Sequence, residues 1–189
     1  MLDAIHPWGK PLGRSLATQF VAQVASEGWQ LDAYWRLRRA VFAEEQGLFC
    51  GSDEDEHDEH AIPIVALSLS AGMPERVVGV VRIFEAELDT WYGGRLGVDP
   101  EYRHRGAIGT ALIAQAVRTA HTLGCVRFLA TVQERNVRYF ERHRFAGQER
   151  LEILGRPHRL MQADLASYPP FPSGQDLTRF VRRSAREVA

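Results

Sequence analysis

Two glycines, Gly106 and Gly109, stand between a basic turn and an amphipathic helix in the stretch EYRHRGAIGTALIAQAVRTAHTLG, residues 101–124. An apolar run, RLGV at 95–98, precedes them and is closed by Asp99-Pro100. A strand, a turn carrying Arg103 and Arg105, and a helix N-terminus together make an anion site. The first helical N–H groups lack intrahelical partners and carry partial positive charge, so they suit a phosphate or pyrophosphate. The residues expected around that anion are Arg103, His104, Arg105, Gly106, Ala107, Ile108, Gly109 and Thr110. Two common phosphate motifs do not fit. A P-loop requires Lys and then Ser or Thr after its last glycine, whereas Gly109 is followed by Thr110-Ala111. A dinucleotide fingerprint requires G-x-G-x-x-G opening a βαβ unit, and that spacing is absent here.

Composition bounds the rest. At 189 residues one domain is expected, large enough to bury a core without staples. Lys+Arg 23 against Asp+Glu 24 gives a net charge of −1, which argues against a general nucleic-acid or membrane-surface binder. Cys50 and Cys125 have neither metal-ligand spacing nor a disulfide framework. No apolar run approaches the roughly 18 residues of a membrane span. Lys10 and Arg14 have no apolar segment behind them to make a signal peptide. A soluble cytoplasmic protein is the expectation.

The elements that must position the anion site follow from periodicity. QFVAQVA at 19–25 alternates as a half-buried strand does, and Leu31 to Glu45 reads as a helix with Leu31, Tyr34, Leu37, Val41 and Phe42 on one face. AIPIVALSLSA (61–71), RVVGVVRIFEAE (76–87) and WYGGRLGV (91–98) read as a three-strand meander broken by Gly72-Met73-Pro74 and Leu88-Asp89. The helix after Gly109 is expected to bury Ile108, Leu112, Ala116, Ala120 and Leu123, to expose Gln115, Arg118, Thr119 and Thr122, and to end at Gly124. CVRFLATVQ (125–133) reads as a strand buried on both faces, implying a right-handed parallel crossover. A short helix near 135–143 and strands near 145–154 and 157–165 complete the pattern. The segment GSDEDEHDEH (51–60) mixes carboxylates with His57 and His60. Its spacing fits neither an EF-hand nor an H-E-x-x-H helix, so it reads as a solvated acidic loop that helps attract a cationic amine.

This order, with Val98, Pro100, Gly109 and Leu112, resembles the GNAT N-acetyltransferases and their acetyl-CoA pyrophosphate loop, V-x-P-x-x-R/Q-x-x-G-x-G/A-x-x-L. Anchored on Gly109, the loop has His104 at the Arg/Gln position and Ala107 at the first glycine; anchored on Arg103 and Gly106, it carries one extra residue before Gly109. LRRAVFAEEQGLF (37–49) resembles the L-R-x-x-V-F-x-x-E-Q of the ElaA-like branch, and GRPHRLM (155–161) resembles its G-I-P-H-x-x-M closing strand. VQERNVRYFERHRF (132–145) looks like the segment Q-x-x-x-x-x-F-Y-x-x-x-G-F. The resemblance covers roughly 15–165, so a GNAT domain is expected over 1–165.

The resemblance implies an α/β fold, the GNAT acyl-CoA N-acyltransferase fold, with a mostly antiparallel sheet and a splayed parallel strand pair. Acetyl-CoA is the implied co-substrate, with no metal. Its pantetheine arm would add to the splayed backbone at Leu96, Gly97 and Val98, with Asn136 also at the coenzyme, and a backbone N–H near Val98 would polarise the thioester carbonyl. For the general base, Glu85 is preferred over Glu87 and Glu45; alternation puts Glu85 and Glu87 on one face. The usual thiolate-protonating tyrosine position holds Phe140, and the family glycine is Arg144. Tyr139 is the adjacent substitute acid, with His158 and His104 as other donors. The implied acceptor is a primary amine on a small molecule. Peptide or protein acetylation, or a non-catalytic acyl-CoA sensor, are the alternatives. From Ala166 a proline-bounded tail leads to a short helix at 176–189 with Leu177, Phe180 and Val181 apolar. It would dock on its own domain or on a second subunit, as a homodimer.

Overall fold

The computed structural model describes residues 19–47 and 51–172, apart from the side chains of His104 and Arg105. The tail helix expected at 176–189 lies outside these residues. In chain order the elements are β1 (Phe20–Val24), α1 (Gly28–Arg38) running into a π-helical segment (Arg39–Glu45), a 3-10 turn (Glu56–Glu59), β2 (Ile62–Ser70), β3 (Met73–Glu87) and β4 (Thr90–Val98). A 3-10 turn (Pro100–Arg105), α2 (Ala107–Thr122), β5 (Arg127–Gln133), α3 (Val137–Arg142), β6 (Phe145–Ile153) and β7 (Arg156–Ala163) follow.

The strands form a seven-stranded sheet in the order β1-β2-β3-β4-β5-β7-β6. Every neighbouring pair is antiparallel except β4–β5, which α2 connects as a parallel crossover. One face packs Ile64, Ala66, Val78, Val81, Ile83 and Phe128 against Leu112, Ala116 and Ala120 of α2. The other packs Val65, Leu67, Val77 and Val80 against Tyr34 of α1. These alternate assignments follow the period of two that strands impose. One residue of α2 departs from expectation: Thr119 is buried, and its hydroxyl is donated a hydrogen bond by Gln115 Nε2 at 3.3 Å, so the polar face is narrower than the pattern suggested.

Two local departures from regular structure shape the middle of the sheet. In β4, Gly97 pairs with Val80 and Gly94 with Arg82, so Arg95 and Leu96 together oppose Val81. This is a β-bulge, and Arg95 adopts a left-handed φ of 55° within it. Beside it, β4 and β5 pair only from Thr90↔Arg127 to Gly93↔Ala130, although β4 runs on to Val98 and β5 to Gln133. Bulge and splay coincide.

The acidic segment is not a solvated loop. Asp53 is buried, and the Asp58 side chain is only 8% exposed. Arg38, with none of its surface exposed, donates from Nε to Asp53 at 2.8 Å and from both terminal nitrogens to Asp58 at 2.5 and 2.9 Å. Arg82 pairs with Asp55 at 2.5 Å and Asp58 at 2.7 Å, and Arg95 with Asp53 and Asp55 at 3.0 Å each. Three guanidiniums from α1, β3 and β4 thus meet three carboxylates from one loop. Burial acts to raise the Asp58 carboxyl, but its hydrogen bonds from Arg38 and Arg82 outweigh it and hold the group down at about 2.

Breaking such a buried pair from one side leaves an unmatched charge, which costs about 3–5 kcal/mol. Arg38→Met should therefore lower the free energy of denaturant unfolding by about that much. Exposed Arg36→Met on the same helix should change it by less than about 0.5 kcal/mol. The sign with pH follows from the depressed carboxyl: its stabilisation is complete above the ordinary aspartate value near 4 and is lost as pH falls through about 2. Wild type should lose stability across that window more steeply than Arg38→Met.

Candidate active site

The splay opens a cleft through the sheet. A cavity of about 240 Å³ runs from Phe42, Gln46, Arg95, Leu154 and His158 on the α1 side, between Leu96 and Thr131–Gln133, to Ile113, Ala116, Val117 and Phe128 on the α2 side. A second cavity of about 440 Å³ adjoins it at the N-terminus of α2. Both are lined by Gln46, Leu96, Arg135, Asn136 and Phe140, so they form one continuous groove. The π-helical segment supplies part of the wall: Gln46 N–H donates to the Val41 carbonyl at 3.2 Å, and Phe42 and Gln46 both border the cleft. π-helical turns are frequent at functional sites.

At the helix end, Gly106 takes a left-handed φ of 63° as the N-cap and α2 begins at Ala107. The helix thus starts earlier than expected, and Gly109 lies inside its first turn. A side chain at Gly109 would place Cβ 2.5 Å from the Tyr139 hydroxyl, so glycine is what lets Tyr139 lie across the turn. Tyr139 donates to the Gly106 carbonyl at 3.3 Å. Arg103 donates from Nε to the Val98 carbonyl at 2.7 Å and from both terminal nitrogens to the Glu45 carboxylate at 2.6 Å. That bidentate bond holds the Glu45 carboxyl below its usual range. Both side chains are about two-fifths exposed, at 39% and 43%, so an incoming phosphate can reach the guanidinium by displacing Glu45.

The expected coenzyme residues divide cleanly. Leu96, Val98, Arg103, Gly106, Ile108, Gly109 and Asn136 line the second cavity. Gly97 turns to the other face, where a Cβ would meet Phe42, Val41 and Val80 at 3.4 Å. Ala107 and Thr110 are exposed, with the Thr110 hydroxyl donating to the Gly106 carbonyl at 3.0 Å. The side chains of His104 and Arg105 lie outside the described set.

The expected chemistry residues fare differently. Glu85 is exposed at the β3–β4 turn, opposite Trp91, and accepts the Asp89 N–H at 2.9 Å. Glu87 sits one pair further on, opposite Thr90. The pairing of β3 with β4 is irregular between Glu85 and Glu87, which breaks the simple alternation there, and the cleft opens at the Val98 end of β4, whereas Glu85 and Glu87 are at the Thr90 end. Neither lines either cavity. Tyr139 lies at the anion end and borders only the second cavity, whereas Phe140 borders both and packs edge-on against Phe145 at 5.2 Å. His158 is the imidazole bordering the cleft cavity; its Nδ1–H donates to the Arg156 carbonyl at 2.8 Å, which leaves Nε2 without that proton. Arg95, Thr131 and Gln133 escaped the sequence pattern, since only the bulge and the splay turn them to the cleft, and Gln46 escaped it because the π-helical turn sets it there. Among the described residues no cluster of three or more His, Cys, Asp or Glu could hold a metal ion. Cys125 is buried, which pushes its thiol up to about 11 and makes it a poor nucleophile.

A model of the acetyltransferase (GNAT) family matches residues 19–145. No curated protein sequence matches the chain significantly. Among solved structures, a candidate N-acetyltransferase from Lactobacillus plantarum superposes with a TM-score of 0.67 at 20% identity, covering 76% of this chain and 97% of that one. ElaA from Escherichia coli superposes at 0.63 and 22% identity, covering 77% and 99%. BjaI, a CoA-dependent acyl-homoserine lactone synthase solved with SAM and isopentyl-CoA, superposes at 0.60 and 17% identity, covering 88% and 89%. At these identities the likeness is one of fold.

The Arg103–Glu45 pair generates a test with opposite signs. Glu45→Gln frees the guanidinium and should tighten coenzyme A binding several-fold, while Arg103→Ala should weaken it by about tenfold or more, the worth of a charge-assisted hydrogen bond. Titration calorimetry on both variants checks the pair.

Proposed function

This chain belongs to the GNAT acetyltransferase family, and we propose that it transfers the acyl group of an acyl-CoA, acetyl-CoA being the donor its loop resembles, to a primary amine on a small molecule. The observation that carries the reading is the coincidence of a helix N-terminus at one end of a groove with splayed parallel strands along it. The pyrophosphate sits at Gly106–Gly109, where the first N–H groups of α2 and Arg103 meet it. The pantetheine arm lies between Leu96–Val98 and Thr131–Gln133, whose backbone groups the splay leaves for a ligand. This brings the thioester beside Phe140, with the amine entering from the His158 side.

Attack forms the C–N bond and breaks the C–S bond, releasing coenzyme A thiolate and one proton from nitrogen. A lysine-like amine with pKa about 10.4 must first lose about 3 units at neutral pH, or about 4 kcal/mol. His158 Nε2 is placed to take a proton, held in that tautomer by its Nδ1–H bond to Arg156. Phe140 has no proton to give, so the thiolate is protonated by the imidazolium or by solvent. A small acceptor is favoured because the β6–β7 hairpin roofs the cleft: Ile153 and Leu154 border it, and Arg156 donates to the Gln46 carbonyl at 3.3 Å. The acidic loop's part in attracting a cationic amine falls to exposed Glu54, Glu56 and Glu59, because Asp53, Asp55 and Asp58 are matched by arginines.

Thiol release from acetyl-CoA, measured against a panel of small amines, should show turnover with at least one of them. His158→Gln should then lower kcat by about 10²-fold, with coenzyme A binding unchanged. Tight coenzyme A binding without release against any amine would favour a non-catalytic sensor, the reading that Phe140 at the acid position supports.

A further inference from the structure

We infer that the acyl group this chain handles is an aliphatic chain longer than acetyl, seated at the inner end of the cleft between α2, β4 and β5. The inference rests on the acyl-CoA reading above and narrows its donor. The inner end is walled by Val81, Ile113, Ala116, Val117, Phe128 and Phe145, all apolar. Its far part, at Phe128 and the Phe145 ring packed on it, lies past the point where β4 and β5 rejoin at Gly93↔Ala130. Backbone groups there are engaged across the strands, so nothing holds the amide-bearing pantetheine arm so deep. A two-carbon acyl group leaves this space empty.

Size and chemistry point the same way. Protein interiors are close-packed, with few voids larger than a water molecule. An apolar cavity of about 150 Å³ already takes a benzene ring and stays dry without one. Here the whole cleft cavity, of which the apolar inner end is one part, is about 240 Å³. Water at its inner end would have no polar side chain to bond, whereas methylene groups need none. Two small residues keep it open: Ala116 on α2 and Ala130 on β5. Gly93 acts beneath them, since a Cβ there would meet the Phe128 ring at 2.9 Å and push it into the space.

The test is a chain-length series on the full chain. Binding of coenzyme A, acetyl-CoA, butyryl-CoA, hexanoyl-CoA and octanoyl-CoA is measured by calorimetry, followed by kcat/KM with any amine that turns over. Each buried methylene is worth about threefold to fourfold in affinity, so hexanoyl-CoA should bind at least about tenfold tighter than acetyl-CoA. Ala116→Leu, which fills the inner end, should cut that hexanoyl-to-acetyl ratio by about tenfold. Should the variant not fold, the wild-type series decides alone. Equal or weaker binding of hexanoyl-CoA than of acetyl-CoA would overturn the inference while leaving the acyl-CoA reading intact. Failure of coenzyme A itself to bind would overturn both.

Discussion

Arg95 keeps a left-handed backbone in the middle of a strand, and the cleft depends on what holds it there. A non-glycine residue in that conformation costs of order 1–3 kcal/mol and persists only where its surroundings fix it. Its guanidinium is bonded to Asp53 at Nε and Nη2 and to Asp55 at Nη2. Asp53 is in turn fixed by Arg38, and Asp55 by Arg82. The bulge is thereby tied to α1 through one loop, and the bulge is where β4 leaves β5. Taking Asp53 and the Asp58 side chain out of water is worth little as net stability, since desolvation offsets much of the attraction. Its return is geometric.

Periodicity carried most of the fold. Each strand and helix of 19–165 lies within a few residues of its expectation, because a half-buried strand and an amphipathic helix write their burial into the order of their residues. The ion network was harder to read, since DEDEHDEH looks the same whether water or arginine faces it. Two signals were there. Arg38 lies one helical turn after buried Tyr34, on the apolar stripe, and Arg82 interrupts an otherwise apolar strand. A charge in either place must be paired. The bulge left no such trace: GGRLGV gives no sign that two residues will oppose one. Without it Glu85 looks as near the chemistry as any carboxylate, and the splay then puts it at the wrong end of the strand.

The two aromatic neighbours on α3 divide what one tyrosine would otherwise do. Tyr139 spends its hydroxyl on the Gly106 carbonyl and its ring on the first turn of α2, so it belongs to the anion end. Phe140 presents only carbon to the junction of the two cavities and packs on Phe145 behind it. A hydroxyl at that junction would need a partner whenever the cleft was empty. Phenylalanine needs none, and it continues the apolar wall towards Ile113 and Val117. The loss of an acid is thus also a gain of apolar surface, in the direction the inner cavity extends.

That exchange bears on how the chemistry would be driven. Only interactions stronger in the transition state than in the ground state raise the rate of the chemical step, and binding energy from remote parts of a substrate can be spent on orienting the reacting centre. A cavity apolar at its inner end and bordered by His158 would do this for a long acyl group on the reading proposed above. Chain and pyrophosphate would be gripped on opposite sides of the thioester, fixing its carbonyl relative to the incoming amine. Orientation of this kind can lower a barrier by several kcal/mol without any proton donor. A thiolate is a tolerable leaving group that solvent can protonate after it departs, so positioning is the larger requirement. Phe140 gives up the smaller contribution to serve the larger one.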